Sequence, residues 1–176
     1  MTKAAPSFPK SPSRSKPWRE PFADLVLAAL VGGPLAAPFL AATPLPVLPL
    51  IANIIYWMGN HVCPQPEMGL VLSPPYLMAV CMRCYGTLIG LVITRYWVAK
   101  TQGWGRYWLP QYGLVGLALA ILLCLVYPAE LLAQHLGWWD YNNWVVTAFG
   151  LVSGLGLGAY IMPLIYRRPV QYAGSR

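Results

Sequence analysis

Three of the four cysteines and one of the two histidines lie within one short stretch, His61-Val62-Cys63 followed by Cys81-Met82-Arg83-Cys84. Thiolates and imidazoles are ligands for soft and borderline metals, and Cys81 and Cys84, at i and i+3, share one face of a helix. Three chemistries are open to the set. Cys63, Cys81, Cys84 and His61 would make a Cys3His site for Zn²⁺ or a similar soft metal. The C-x-x-C pair alone would make a dithiol that cycles with a disulfide. A static disulfide from Cys63 to one of the pair would staple the two segments together. Cys124, alone in an apolar run, reads as a small buried residue.

The elements that position these residues are membrane helices. The chain of 176 residues is 57% hydrophobic and 10% charged, with a mean hydropathy of +0.52; soluble domains carry about a quarter charged residues. The expected fold is all-α, an integral membrane four-helix bundle. Its spans are Phe22–Ala42, Ser73–Lys100, Leu109–Tyr127 with an extension past Pro128 to His135, and Trp144–Tyr166. A short segment within residues 43–59, broken by Pro44, Pro46 and Pro49, precedes the first outer loop and either re-enters, lies at the interface or extends the first helix. In the second span Ser73-Pro74-Pro75 is read as a helix start, Ser capping and Pro in the first turn. Residues 1–20 form a basic tail rich in Pro and Ser, expected to be disordered. Residues 21–168 form the transmembrane domain and 169–176 a C-terminal tail. The length of the basic tail and of the apolar run favours a retained helix over a cleaved signal.

The positive charges orient the bundle. With the N-terminus inside, Lys3, Lys10, Arg14, Lys16, Arg19, Arg95, Lys100, Arg106, Arg167, Arg168 and Arg176 all fall on the inner side, as cytoplasmic segments require. Both termini are then cytoplasmic (or stromal). His61, Cys63, Cys81, Cys84, Cys124 and His135 gather on the periplasmic or thylakoid-lumen side, where disulfides persist. Arg83 is the one basic residue in the outer half. Snorkelling to the interface is the simpler expectation for it; the alternatives are pairing with Glu67, Glu130 or Asp140, or serving an anionic thiolate or quinone oxygen. His135 reads as a loop histidine, and Asn142-Asn143 as a cap for the last helix. Gly86 and Gly90, and Gly150, Gly154 and Gly158, repeat every four residues and are expected to pack helices closely. The net charge of +7 is spread in short flanks, so nucleic acid is not an expected partner; membrane lipid is. Phosphate loops, H-E-x-x-H and G-x-S-x-G are absent from the sequence.

Cys63-Pro64-Gln65-Pro66-Glu67, then Val80-Cys81-Met82-Arg83-Cys84-Tyr85-Gly86 and Gly90, resemble a family of predicted bacterial and cyanobacterial membrane proteins, a domain of unknown function numbered 2085. The likeness runs over roughly residues 25–165. The family pattern has a histidine where Pro64 stands and an Arg-Ser-Phe run missing here. What the resemblance implies is a membrane protein, and for cyanobacterial-like members a thylakoid setting beside photosynthetic complexes. An architectural likeness also exists to quinone-linked disulfide-forming enzymes of the DsbB and vitamin K epoxide reductase types. These are four-helix membrane proteins with C-x-x-C near the outer end of a helix.

Two functions from different classes follow. The favoured one is an accessory protein, an assembly or stabilising factor for a membrane complex, with an outward-facing metal or structural site built from Cys63, Cys81, Cys84 and His61. The other is a quinone-linked thiol–disulfide oxidoreductase using Cys81, Cys84, Cys63 and Arg83, although only Cys63 and Cys124 remain to serve as a second pair. A pigment-binding subunit, with His61 or His135 on a chlorophyll magnesium, is the weakest expectation, because neither histidine is placed within a span.

Overall fold

The computed structural model describes residues 19–101 and 108–166. The basic tail up to residue 18, Trp104, Arg106 and the C-terminal segment 167–176 lie outside the described residues. The elements are α1 (Arg19–Ala41), α2 (Val47–Val62), β1 (Val71–Ser73), β2 (Tyr76–Leu77), α3 (Met82–Thr101), α4 (Leu114–His135) and α5 (Asn143–Tyr166). Short 3₁₀ turns sit at Pro66–Met68 and Leu109–Tyr112.

Among the described residues, three helices are long and apolar enough to cross a membrane: Pro21–Ala41, Leu114–His135 and Asn143–Tyr166. The expected fourth span, α3, is not among them, because Arg83, Arg95 and Lys100 lower its hydropathy. It nevertheless packs extensively along one face, chiefly against α5. Its buried stripe is Arg83, Gly86, Gly90, Thr94 and Val98, one residue per turn. That stripe meets Gly150, Gly154 and Gly158 of α5 so closely that a methyl group on Gly154 would strike the Thr87 carbonyl, and one on Gly150 the Arg83 carbonyl. Gly86 lies against Thr147 and Gly158 against Thr94, so α3 and α5 run parallel. Small residues permit this approach of backbones, which is the main source of helix association where lipid removes the hydrophobic drive.

Prolines write part of the remaining architecture. Pro38 has no N–H to offer the carbonyl of Pro34, four residues earlier. That carbonyl accepts the N–H of Ala79 at 3.4 Å and docks the segment before α3 onto α1. Pro128 likewise frees the carbonyl of Cys124, which accepts the Ser153 hydroxyl at 3.4 Å and ties α4 to α5. Cys124 itself is half-buried there, with Sγ 3.9 Å from the Ser153 carbonyl. Asn142 caps α5: its Oδ1 accepts the Trp144 N–H at 2.9 Å and the Val145 N–H at 3.5 Å.

One expectation before α3 needs correction and another gains detail. The chain breaks after α1 at residues 42–46, which hold Pro44 and Pro46, and then forms α2, about 24 Å long at 1.5 Å per residue and too short for a hydrocarbon core of about 30 Å. It folds back on α1, with Ile55 against Gly33. Ser73-Pro74-Pro75 does not start a helix. Ser73 and Pro74 each precede a proline, which steers them to extended backbone. They form the β1–β2 hairpin, pairing Val71 with Leu77 and Ser73 with Tyr76, so the fold is not purely α-helical. The helix begins nine residues after Ser73, at Met82.

The end of the bundle holding the described ends of α1 and α5 is fastened by a second polar set. Arg95 of α3 donates to both carboxylate oxygens of Asp24 in α1, at 2.6 and 2.8 Å. Tyr166 of α5 donates to Asp24 Oδ1 at 2.8 Å and lies under the guanidinium, 3.9 Å from the ring centre. Arg83 and Arg95 are about 18 Å apart along α3 at 1.5 Å per residue.

Candidate metal centre

The late start of α3 changes the setting of the cysteines. Cys81 immediately precedes the helix, and its carbonyl accepts the Tyr85 N–H at 3.0 Å, so it occupies the cap position. Cys84 stands in the first turn. Both therefore sit at the positive end of the helix dipole rather than two turns into a longer helix. Cys63 arrives from the other side as the residue that terminates α2, its N–H bonded to the Gly59 carbonyl at 2.8 Å. Gly59 makes this possible, because any side chain there would strike the backbone of Ala79.

The three thiols converge. Cys81 Sγ is 3.7 Å from Cys84 Sγ, and Cys84 Sγ is 3.5 Å from Cys63 Sγ. All three sulfurs lie within 4.8 Å of one another, and none is in a disulfide. Cys63 and Cys81 are buried and Cys84 is half-buried, in a cluster with Met78 and Val80. The backbone N–H of Cys81 points at Cys63 Sγ from 3.3 Å. Hydrogen bonds from the Cys81 and Cys84 thiols, with that N–H behind them, hold the Cys63 thiol far below the usual thiol range; Cys81, bonded to Cys63, is raised.

His61 and His135 are placed elsewhere. His61 is exposed on α2, its Nδ1 2.7 Å from the Trp57 carbonyl and its ring 4.4 Å from the Trp57 ring. His135 ends α4 and is exposed. Among the described residues, the group able to hold a metal consists of Cys63, Cys81 and Cys84.

Arg83 does not snorkel. It is 0% exposed and pairs through Nε with Glu130 of α4, also 0% exposed. Its Nη1 donates to Gln65 Oε1 at 3.0 Å and its Nη2 to Gln134 Oε1 at 2.6 Å. The guanidinium carbon lies 5.7 Å from the centre of the Tyr127 ring, and Tyr127 Oη is 3.1 Å from Cys84 Sγ. Trp139 Nε1 donates to the second oxygen of Glu130 at 3.3 Å. Of these partners only Glu130 was an expected candidate. A signal for the others exists in α4: Tyr127, Glu130 and Gln134 follow the i, i+3, i+7 spacing of a single helical face within an otherwise apolar run.

The model of the family described as predicted membrane protein (DUF2085) matches residues 65–160, more than half of the chain. The chain belongs to that family. The matched region contains Gln65, Cys81, Arg83, Cys84, Tyr127, Glu130 and Gln134, while Cys63 lies just before it. No curated protein and no solved structure matches the chain.

The chemistry and spacing of the donor set are those of a soft-metal site. A tetrahedral ion with metal–sulfur bonds of about 2.3 Å separates its sulfurs by about 3.8 Å. The two short sulfur–sulfur distances here fall close to that edge. Three thiols gathered at a helix N-terminus suit a soft cation. The residues fit the group.

Proposed function

We propose that this membrane protein binds one Zn²⁺ or similar soft metal ion through Cys63, Cys81 and Cys84, and that the site serves a structural, accessory role in assembling or stabilising a membrane complex. The observation that carries the reading is the convergence of three thiols, drawn from two segments 18 residues apart, to within 4.8 Å of one another, with two of the separations near a tetrahedral edge. Bound metal would supply a cross-link between the end of α2 and the start of α3, two elements otherwise joined by a small hairpin and turns. His61, the fourth ligand expected from the sequence, would have to leave its bond to the Trp57 carbonyl to reach the site. An exogenous fourth ligand is the simpler completion. In the same reading the site faces the periplasm or lumen, α3 crosses the membrane beside the three apolar helices, and the termini are cytoplasmic.

Metal content and free thiols, measured on one sample purified in detergent without reductant, test the proposal. The expected result is about one equivalent of zinc, with three thiols becoming reactive only after chelation. Absence of metal, together with two thiols recovered only after reduction, would overturn it in favour of thiol–disulfide exchange and make electron transfer to a quinone the next assay.

A further inference from the structure

We infer that Arg83 is a positioning residue for the thiol trio: a buried clamp, centred on its guanidinium, that holds Cys63 and Cys84 in register before any metal arrives. The inference rests on the metal-binding reading for its purpose, but its geometry stands apart. Arg83 lies between Cys81 and Cys84 in sequence, so its backbone is part of the ligand turn. Its side chain leaves that turn and reaches three other elements. One arm ends on Gln65, two residues after Cys63, and fixes the turn that follows Cys63 at the end of α2. A second ends on Glu130 and Gln134, one turn apart on α4. The face of Tyr127, on the same side of α4, lies beneath the guanidinium, and its hydroxyl is 3.1 Å from Cys84 Sγ. The clamp therefore touches the site from both flanks.

The chemistry of arginine suits this task. Its planar fork offers several donors in fixed directions, which a lysine cannot reproduce. A fully buried guanidinium is retained only where its donors are met, and here each of its three nitrogens has an oxygen partner. Partners that orient metal ligands typically cost about 10–100-fold in metal affinity when removed.

The experiment uses the full chain in detergent, with Gln65→Ala as the principal variant. Gln65 is half-buried in the turn after α2, and its loss cuts the arm to Cys63 while leaving the Arg83–Glu130 pair intact. Arg83→Lys, which keeps the charge but not the fork, is the second variant. Two readouts are taken: Zn²⁺ affinity by chelator competition, and the rate of Cys63 alkylation in metal-free protein in which the other cysteines are alanine. The clamp predicts about tenfold weaker Zn²⁺ binding in Gln65→Ala, with the helical content of the metal-free protein retained and its thermal stability lowered only by the lost bond to Arg83. It also predicts several-fold faster Cys63 alkylation. Unchanged affinity and unchanged alkylation in Gln65→Ala would overturn the clamp while leaving the metal site standing. Wild-type protein that takes no Zn²⁺ but shows the alkylation difference would overturn the metal reading and leave the clamp in place.

Discussion

Replacing Glu130 by Gln removes one negative charge and almost no volume, and it strands the guanidinium of Arg83. Both side chains are 0% exposed, so neither can recover its partner's contribution from water. Breaking a buried pair by removing one member costs about 3–5 kcal/mol, because the remaining charge is left uncompensated. Gln134 and Gln65 still accept from the two terminal nitrogens, which places the expectation at the lower end, about 3 kcal/mol. At about 1.4 kcal/mol per decade this is roughly a hundredfold shift in the unfolding equilibrium. The assay is unfolding by sodium dodecyl sulfate in mixed micelles, followed by fluorescence of the eight tryptophans and by helical circular dichroism. Glu67→Gln, at an exposed carboxylate in the turn after α2, is the control and should change stability by less than about 0.5 kcal/mol. Converting the pair to Arg83→Met with Glu130→Leu should recover part of the loss, because two apolar groups leave no orphaned charge. Recovery stays incomplete, since Gln65 and Gln134 then lose their donors. A cost below about 1 kcal/mol for Glu130→Gln would mean that Arg83 reaches water in the membrane and would refute the buried pair. So would a double variant as costly as the two single changes added together.

Other expectations follow from single contacts. Gly154→Leu should disrupt the α3–α5 contact by more than the 1–3 kcal/mol typical of overpacking, because the added side chain meets the Thr87 backbone; the same unfolding assay reads it. Asn142→Ala removes the cap of α5 and should cost about 1 kcal/mol with unchanged metal content. Cys124→Ala should leave metal stoichiometry unchanged, whereas Cys81→Ala should abolish it, as measured by metal analysis. Acidification should release bound metal, because protons compete with the metal for the thiolates. Zn²⁺ affinity should therefore fall as the pH falls; a chelator titration across pH follows it, and affinity rising on acidification would contradict thiolate ligation.

How much was legible in the sequence depends on the range of the interaction that decides each feature. The apolar runs of α1, α4 and α5 are local properties of composition, and their positions follow. The Gly-x-x-x-Gly repeats mark helix faces, and here they are where α3 and α5 meet. The convergence of Cys63, Cys81 and Cys84 is suggested by spacing. His61 was misleading because nearness along the chain is not nearness in space: it lies on the exposed side of α2, turned away from the trio that Cys63 joins at that helix's end. The start of α3 was misplaced because a capping residue followed by proline also describes a hairpin turn, and the second proline decides between them by forcing Pro74 out of helical backbone. Tyr127 and Gln134 are hard to single out because a neutral side chain in an apolar run is costly only when its partner is missing, and that partner comes from another helix; Gln65 lies in a quoted motif whose spacing says nothing of its bond to Arg83.

The same reasoning explains why the helix that carries the chemistry resembles a membrane span least. Lipid-facing residues must be apolar, so hydropathy detects helices by their outer surface. The face of a helix that packs on its neighbours is released from that requirement and can hold charges, provided each is met by a partner. α3 uses this freedom at two levels about 18 Å apart, where Arg83 and Arg95 each find a carboxylate from a neighbouring helix. At the Arg95 level the carboxylate is partly exposed and the contact fastens α1, α3 and α5. At the Arg83 level nothing is exposed, and the charge lies beside three thiols gathered at a helix terminus. Placing a buried arginine there is expensive for a purely structural fastening, since apolar packing would hold the helices as well. The cost is understandable if the guanidinium serves the thiols, and that is why Gln65→Ala, which spares the ion pair and severs only its link to Cys63, discriminates between a fastening and a site.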